Sequence, residues 1–428
     1  MPLRVAKAGV RLDLVLYLGF AVFAGVTAAG SEFYGYRIWG NCALVAYLVA
    51  AALAGRVALR GRGSRWLPVW LSTLVGTIAP LLYLSFRRDP GYTWGPWPWS
   101  FPSQPEVWVV ERAARAWLAD GTPYLDLNTL GRAPHADDYT PYGPSMSVFG
   151  LPRALFGDHP LTDARVAFLV VTAGALLLAW HLLGRPTVPV PAALLVVASP
   201  LTALTLTVAG DDVAVAALVV LAAALAYRDT RWSPWWTGAL CAVLVTMKLT
   251  ALPAAAVLAV GLLAHRGLRA AAAFLVALLA VGTAVVLPVL LVDAGAFVEH
   301  VVKFPVGLGR ASSPASSPLP GHLLAGLGAA GHAAALVLLG LAACAVAAWV
   351  ALRPPRTAAD ALARTAIGLG AAIALAPATR WGYLVYPVVL LGSALAFAAA
   401  ERVRVGTGES APGSRSGVDS RTGDPPPR

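Results

Sequence analysis

WWTGALCAVLVTMKLTALPAAAVLAVGLLAHRGLR, from Trp235 to Arg269, is the stretch whose reading decides the fold. Read as one crossing, the apolar run Trp235–Ala264 would put the cluster His265-Arg266-Gly-Leu-Arg269 opposite the basic link Arg228-Asp-Thr-Arg231 that precedes it. Short basic loops stay on the cytoplasmic side of a membrane. Lys248 and Pro253 interrupt the run near its middle. The economical solution is two shortened helices in a hairpin turning near Lys248. Both basic clusters then share one side, and the lysine rises to the other. Such a break is tolerated where the freed backbone is buried in protein or lines a cavity.

The rest of the chain fits that scheme. It is 58% hydrophobic and 12% charged, about half the charge of a soluble domain, and its mean hydropathy is +0.70. Its apolar runs approach the ~20 residues needed to cross a bilayer. They lie near Leu12–Ala29, Asn41–Leu59, Trp66–Phe86, Ala164–Leu183, Thr187–Val208, Val213–Tyr227, the two arms of the hairpin, Ala270–Val292, His322–Leu352, Ala358–Ala378 and Tyr383–Ala400. The class is all-α: a polytopic integral membrane protein of about twelve helical segments. The net charge of +11 matches loops facing anionic lipid, and no nucleic-acid partner is implied. Basic links place both termini in the cytoplasm of a multi-pass cell-membrane protein. Residues 401–428, rich in Gly, Ser, Pro and Arg, read as a disordered tail. Cys42, Cys241 and Cys344 sit in apolar runs without metal or redox spacing, so packing is their expected role.

One segment breaks the pattern. Between Arg87 and Asp163 the chain holds eight of its 21 acids: Asp89, Glu106, Glu111, Asp120, Asp126, Asp137, Asp138 and Asp158. The crossing pattern puts this segment, residues 87–163, outside the cytoplasm, with Trp94, Trp97 and Trp99 suited to the interfacial belt. Pro105–Leu118 reads as an amphipathic helix with Val109, Val110, Ala113 and Trp117 on its apolar stripe. Glu106 heads that stripe, so its carboxylate should look toward the membrane helices. Ser103-Gln-Pro-Glu106 also fits a capping box that merely ties down the helix start. Capping and function stand about even for this residue. Glu111 falls on the opposite face, spaced i,i+4 from Arg115, and reads as a solvated ion pair.

Lys248 is the stronger signal, because an ammonium within an apolar run marks a functional site by default. Gly210-Asp211-Asp212 lies at the outer end of a helix pair, where the aspartates either cap the next helix or face a site. Arg380, in a short outer link, is either an interfacial anchor or a substrate ligand. His300, Lys303 and Arg310 read as solvated loop charges. Asp137 and Asp138 lack a third ligand nearby, so no metal and no cofactor is expected. A carboxylate beside cations at the outer face suits group transfer from a lipid-linked phosphate: cations hold the phosphate, and the carboxylate activates an acceptor hydroxyl.

The residues also carry a family resemblance. Glu106-Val-Trp108, Ala113-Ala-Arg-Ala116, Gly121-Thr-Pro123-Tyr124 and Tyr139-Thr-Pro-Tyr-Gly-Pro144 follow one another in the loop. Gly210-Asp-Asp212, Gly238, Lys248 and Arg380-Trp-Gly-Tyr383 come after. In this order they resemble the polyprenyl-phosphate-sugar-dependent glycosyltransferases of the GT-C fold, especially the bacterial mannosyltransferase-like group of family 87. The resemblance runs from Trp66 to about Ala400, which sets apart residues 1–65 as two additional helices and 66–400 as the catalytic domain. It departs from the family's usual aspartate at Glu106. The resemblance implies inverting transfer of a sugar, mannose, from a polyprenyl phosphate donor to an extracytoplasmic glycan or glycolipid. Glu106 would be the base, with Lys248, Arg380, Asp211, Asp212, Tyr139 and Tyr142 binding substrate. A pentose donor such as an arabinosyl lipid fits the same pattern. A lipid-linked-saccharide flippase would instead show paired repeats with matching helix breaks, whereas this chain has one break and gathers its acids in one loop. A non-catalytic scaffold of the same fold is the third reading.

Overall fold

The computed structural model describes residues 2–88, 102–312 and 314–406, and the side chains of 2–7 and 404–406 lie outside the description. Trp94, Trp97 and Trp99 also lie outside it, as does the tail beyond residue 406. Among the described residues there is no strand, only an isolated bridge between Ser316 and Thr379. Ten helices among the described residues are long and apolar enough to cross a membrane.

In chain order the helices are α1 (Pro2–Gly30), α2 (Tyr34–Arg60), α3 (Trp66–Phe86) and α4 (Pro105–Asp120), the last within the polar loop. Then come α5 (Ala164–Leu182), α6 (Val190–Val208), α7 (Asp211–Ala226), α8 (Ser233–Met247) and α9 (Leu252–Arg266). The series ends with α10 (Leu268–Phe297), α11 (Ala329–Leu352), α12 (Ala358–Leu375) and α13 (Val385–Gly406). The protein is an all-α polytopic membrane protein.

The centre of the bundle is α7. Fourteen of its 16 residues are buried, as expected of a helix apolar on every side. Its run of alanines and valines lets α5, α8 and α13 pack against it closely. The hairpin is present. Arg266, at the end of α9, donates to the carbonyls of Arg228 (3.2 Å) and Thr230 (2.9 Å) just before α8. Both basic clusters therefore share one face, and Lys248 lies at the other. On the basic face, Asp13 holds Arg65 (2.7 Å) and the Ala359 amide donates to Glu401 (3.3 Å), drawing the chain's two ends toward the basic links.

Two boundaries differ from expectation. The outer loop was expected to begin at Asp293, but α10 only kinks there and runs on to Phe297, followed by a wide turn over Val298–Lys303. The Asp293 carboxylate caps the restarted helix at the Ala296 amide (2.8 Å), which lets helix continue past a charge. At the other end, Pro320–Ala325 forms a short helix, and α11 starts only after Gly328 at φ +99°.

Helices α1 and α2 bury Tyr17, Trp39 and Tyr47 in one cluster with Val69, Leu194 and Ala203. The Tyr47 hydroxyl donates to the Ala198 carbonyl (2.7 Å) at the break in α6. Gly40 is required here, because a Cβ would run into the backbone of Ala24 and Ala28.

The placement of Thr129 in the acidic loop and Ser64 in the basic link, both exposed, yields a sidedness test. With Cys42, Cys241 and Cys344 replaced, Thr129→Cys should react with an impermeant thiol reagent on intact cells. Ser64→Cys should react only after the membrane is opened. Ser103, another loop position, is 4% exposed and unsuitable as a probe. Labelling of Ser64→Cys from outside would reverse the orientation.

Candidate functional site

A cavity of about 1590 Å³ opens on the face of the acidic loop. Ligand pockets for small molecules span about 300–1,000 Å³, so this one has room for more than a single sugar. Glu106, Tyr139, Tyr142, Asp211, Asp212, Lys248 and Arg380 all line it. They come from the loop, the start of α7, the α8–α9 break and the link before α13.

Glu106 sits in the first turn of α4. Gln104 precedes it in extended conformation with no side-chain cap, and Pro105 opens the helix. The capping box suggested by Ser103 and Glu106 is absent, and the carboxylate turns into the cavity instead. Its Oε1 accepts from Arg380 Nη1 at 2.5 Å, while Oε2 is buried with no hydrogen-bond partner among the described residues. The helix start is fixed from two sides. The Gln104 amide donates to the Val208 carbonyl (2.8 Å), and its side chain binds the Tyr36 hydroxyl. Burial works against the Arg380 charge, but Glu106, Tyr383 and Tyr142 outweigh it and raise its pKa.

Lys248 occupies the break itself, in extended backbone (φ −152°, ψ 127°). Its ammonium donates to Asp211 Oδ2 (2.9 Å) and to Asp212 Oδ1, and lies 5.3 Å from the Tyr142 ring and 5.6 Å from that of Tyr383. Asp212 Oδ1 also accepts from the Tyr386 hydroxyl (2.7 Å). The aspartates project from α7 because Gly210, at φ +101°, turns the chain sharply, and a Cβ there would strike Phe168. The loop 141–144 covers the break. The Gly143 amide donates to the Met247 carbonyl (3.0 Å), and Ser145 pairs with Thr246 (2.7 Å). Any side chain at Gly143 would collide with the Thr246 carbonyl. The freed backbone of a broken helix is thereby satisfied inside protein.

Tyr139 plays a different part from its neighbours. Its ring is buried and stacks on Phe304 (4.1 Å), and its hydroxyl donates to Glu299 (3.1 Å) while accepting from the Arg310 amide (2.8 Å). It anchors the irregular segment of residues 304–312 and 314–319 along the cavity. That segment is tied at its far end by the Ser317 amide to the Thr379 carbonyl (2.9 Å) and the Trp381 amide to Ser317 Oγ (2.9 Å).

Two residues expected in solvent, Glu111 and His300, are buried. Glu111 is 2% exposed. Both its oxygens bind Arg88 (2.7 Å each), and Oε1 also caps α5 at the Ala164 amide (3.0 Å). Arg115 pairs with Asp158 (3.5 Å) instead. The helical projection placed Glu111 opposite the apolar stripe correctly, but Arg88, Arg153 and the start of α5 cover that face. The same network holds Asp163, to which Arg88 and Arg165 donate. Burial pushes the Asp163 carboxyl up, but Arg165 and Arg88 outweigh it and hold its pKa well below the usual range. Arg112 is also sequestered, donating to the carbonyls of Asp137 and Asp138 (3.0 Å each), and burial lowers its pKa to about 10 against the pull of the two acids. His300 is fully buried, accepting from the Thr140 amide at Nδ1 (2.9 Å) and facing the Leu125 carbonyl through Nε2.

Removing one charge from a buried ion network costs about 3–5 kcal/mol. Glu111→Gln should therefore lower the thermal midpoint of the purified protein markedly, while the folded fraction keeps its specific activity. An unshifted midpoint would remove the structural role.

Tyr36, Tyr383 and Tyr386 complete the site without having been singled out individually. Tyr383 and Tyr386 stand i,i+3 on one helical face, a legible signal. Tyr36, from α2, carried none.

A broken-helix membrane bundle with carboxylates and cations meeting at a cavity on the acidic-loop face fits intramembrane group transfer. The model of glycosyltransferase family 87 matches residues 139–379, more than half of the chain. The chain belongs to that family and is a membrane glycosyltransferase. The match includes Tyr139, Tyr142, Asp211, Asp212 and Lys248, begins after Glu106 and ends one residue before Arg380. No curated protein and no solved structure matches the chain.

Proposed function

We propose that the protein transfers a sugar, mannose by resemblance, from a polyprenyl phosphate donor to a glycan or glycolipid acceptor outside the cytoplasm, with inversion. The observation carrying this reading is the Glu106 carboxylate, one oxygen held by Arg380 and the other buried without a partner among the described residues. A carboxylate so held is oriented yet keeps an acceptor site for a hydroxyl proton.

In the proposed reaction the acceptor oxygen attacks the sugar's anomeric carbon from the face opposite the phosphate. Its proton passes to Glu106, the bond from carbon to phosphate oxygen breaks, and the lipid phosphate leaves with the electron pair. A guanidinium offers five N–H donors, of which Glu106 takes one, and Arg380 is the cation placed to meet the leaving phosphate. Lys248 has two of its three donors committed to Asp211 and Asp212. Its role is to hold the floor of the site and to offer the remaining donor to the substrate.

The test is reconstitution in lipid nanodiscs with polyprenyl-phosphate mannose and envelope lipid extract, together with glycan profiling of a deletion strain. Release of polyprenyl phosphate, donor accumulation in the deletion and a truncated glycan are expected. Turnover of a pentosyl donor alone would replace mannose. An unchanged envelope and no turnover of either donor would sink the reading.

A further inference from the structure

The N-terminal helix pair reaches the cavity with Phe23 and Thr27 of α1 and Tyr36 of α2. Thr27 spends its hydroxyl on the Phe23 carbonyl (2.9 Å), so of these three Tyr36 is the one that meets the site as a polar group. Its phenol oxygen accepts from Gln104 Nε2. A phenol also carries a proton to donate, and that of Tyr36 has no acceptor among the described residues. Across the same cavity wall, Glu106 Oε2 is an acceptor with no donor. The site therefore holds one unmet donor and one unmet acceptor.

Tyr36 is held beside Glu106. Gln104, which it touches, lies two residues before Glu106 and is itself pinned to the Val208 carbonyl (2.8 Å). Glu106 and Arg380 are the charges whose field reaches the phenol. The other tyrosines lining the cavity are placed differently. Tyr139 gives its hydroxyl to Glu299, while Tyr142 and Tyr383 set their rings toward Lys248 (5.3 and 5.6 Å). A ligand group that satisfies Glu106 and Tyr36 together has to donate to the one and accept from the other. A hydroxyl does both. An ionised phosphate or a carbonyl only accepts, and an ammonium only donates.

We propose that Tyr36 binds and aims the attacking hydroxyl of the acceptor, which sits between the phenol and Glu106 Oε2. This rests on the proposed transferase reading. One lone pair of the acceptor oxygen takes the Tyr36 proton as a hydrogen bond, the other faces the anomeric carbon, and the acceptor's own proton points at Glu106. As the new carbon–oxygen bond forms, that proton passes to Glu106 and Tyr36 keeps its own. An oxygen held at two of its corners has little freedom left to turn, and orientation of this kind lowers the barrier without new chemistry. Helix α2 precedes residues 139–379, which the family model matches. The acceptor site thus draws a contact from the N-terminal helix pair.

Tyr36→Phe removes the hydroxyl alone. In nanodiscs with polyprenyl-phosphate mannose and envelope lipid extract, it should lower the single-turnover rate at saturating donor by at least about tenfold, with donor affinity and thermal midpoint unchanged. A wild-type rate would overturn the proposal, and so would weakened donor affinity, which would assign Tyr36 to the donor sugar. Gln104→Leu breaks the same contact but keeps the phenol proton, so it should lose clearly less. Equal losses would make Tyr36 a prop for Gln104 and overturn its contact with substrate. Tyr34→Phe, on the same helix but paired with Tyr83 (3.0 Å), should leave the rate unchanged. A loss there equal to that of Tyr36→Phe would trace the effect to the packing of α2 and likewise overturn the proposal. In parallel, methyl α-mannoside should bind wild type about two- to tenfold more tightly than Tyr36→Phe, the worth of one neutral hydrogen bond, and equal binding would count against the hydroxyl site. That difference without sugar transfer by wild type would leave the hydroxyl site standing and remove the transferase reading. Transfer at equal rates by wild type and Tyr36→Phe would do the reverse.

Discussion

Glu106→Gln is expected to lower sugar transfer about 10²–10⁴-fold, the usual contribution of a positioned general base. The amide keeps the size of the side chain and can still accept from Arg380 Nη1, so the protein should express and unfold as wild type does. What it loses is basicity at the oxygen that no other group engages. Glu106→Asp is the informative companion. It keeps a carboxylate but shortens the reach, and it should retain more activity than Glu106→Gln. The measurement is single-turnover release of lipid phosphate with saturating donor, so that binding does not mask chemistry. If Glu106→Gln turns over at the wild-type rate, the base lies elsewhere, with Asp137, Asp211 and Asp212 the other carboxylates lining the cavity.

Lys248→Met should act first on folding. The substitution leaves the Asp211 and Asp212 carboxylates, whose side chains are 2% and 8% exposed, without their shared cation. Breaking a buried ion pair from one side costs about 3–5 kcal/mol, enough to reduce the yield of monodisperse protein sharply. Read as a lone charge in an apolar run, Lys248 would predict a folded variant with weakened donor binding; its two partners change that. Lys248→Met combined with Asp211→Asn removes a second charge from the triad and should recover much of the lost stability. Donor affinity measured on that double variant then separates the roles. Affinity equal to that of Asp211→Asn alone would make Lys248 structural and leave Arg380 to hold the phosphate. A wild-type thermal midpoint for Lys248→Met would refute the buried-triad account itself.

The amino-acid sequence by itself determined the class, the helical segments and the hairpin at Lys248. Those follow from two rules that act residue by residue: apolar length against bilayer thickness, and the exclusion of basic loops from the far side. It also singled out seven of the residues that line the cavity, five because charge is conspicuous in an apolar chain and Tyr139 and Tyr142 through the family resemblance. Only the tertiary structure decided how those residues pair. Arg380 meets Glu106 across 274 positions of chain, and Lys248 meets Asp211 and Asp212 across 37 and 36. A helical projection gives the direction in which a side chain points, never what another segment lays over it. Glu111 therefore read as solvated and proved buried beneath Arg88 and Arg153. The same holds for α1 and α2. Their hydropathy marked them as spans, but hydropathy is blind to neighbours, and their place along the cavity wall depends on tyrosine contacts that form only when the bundle closes.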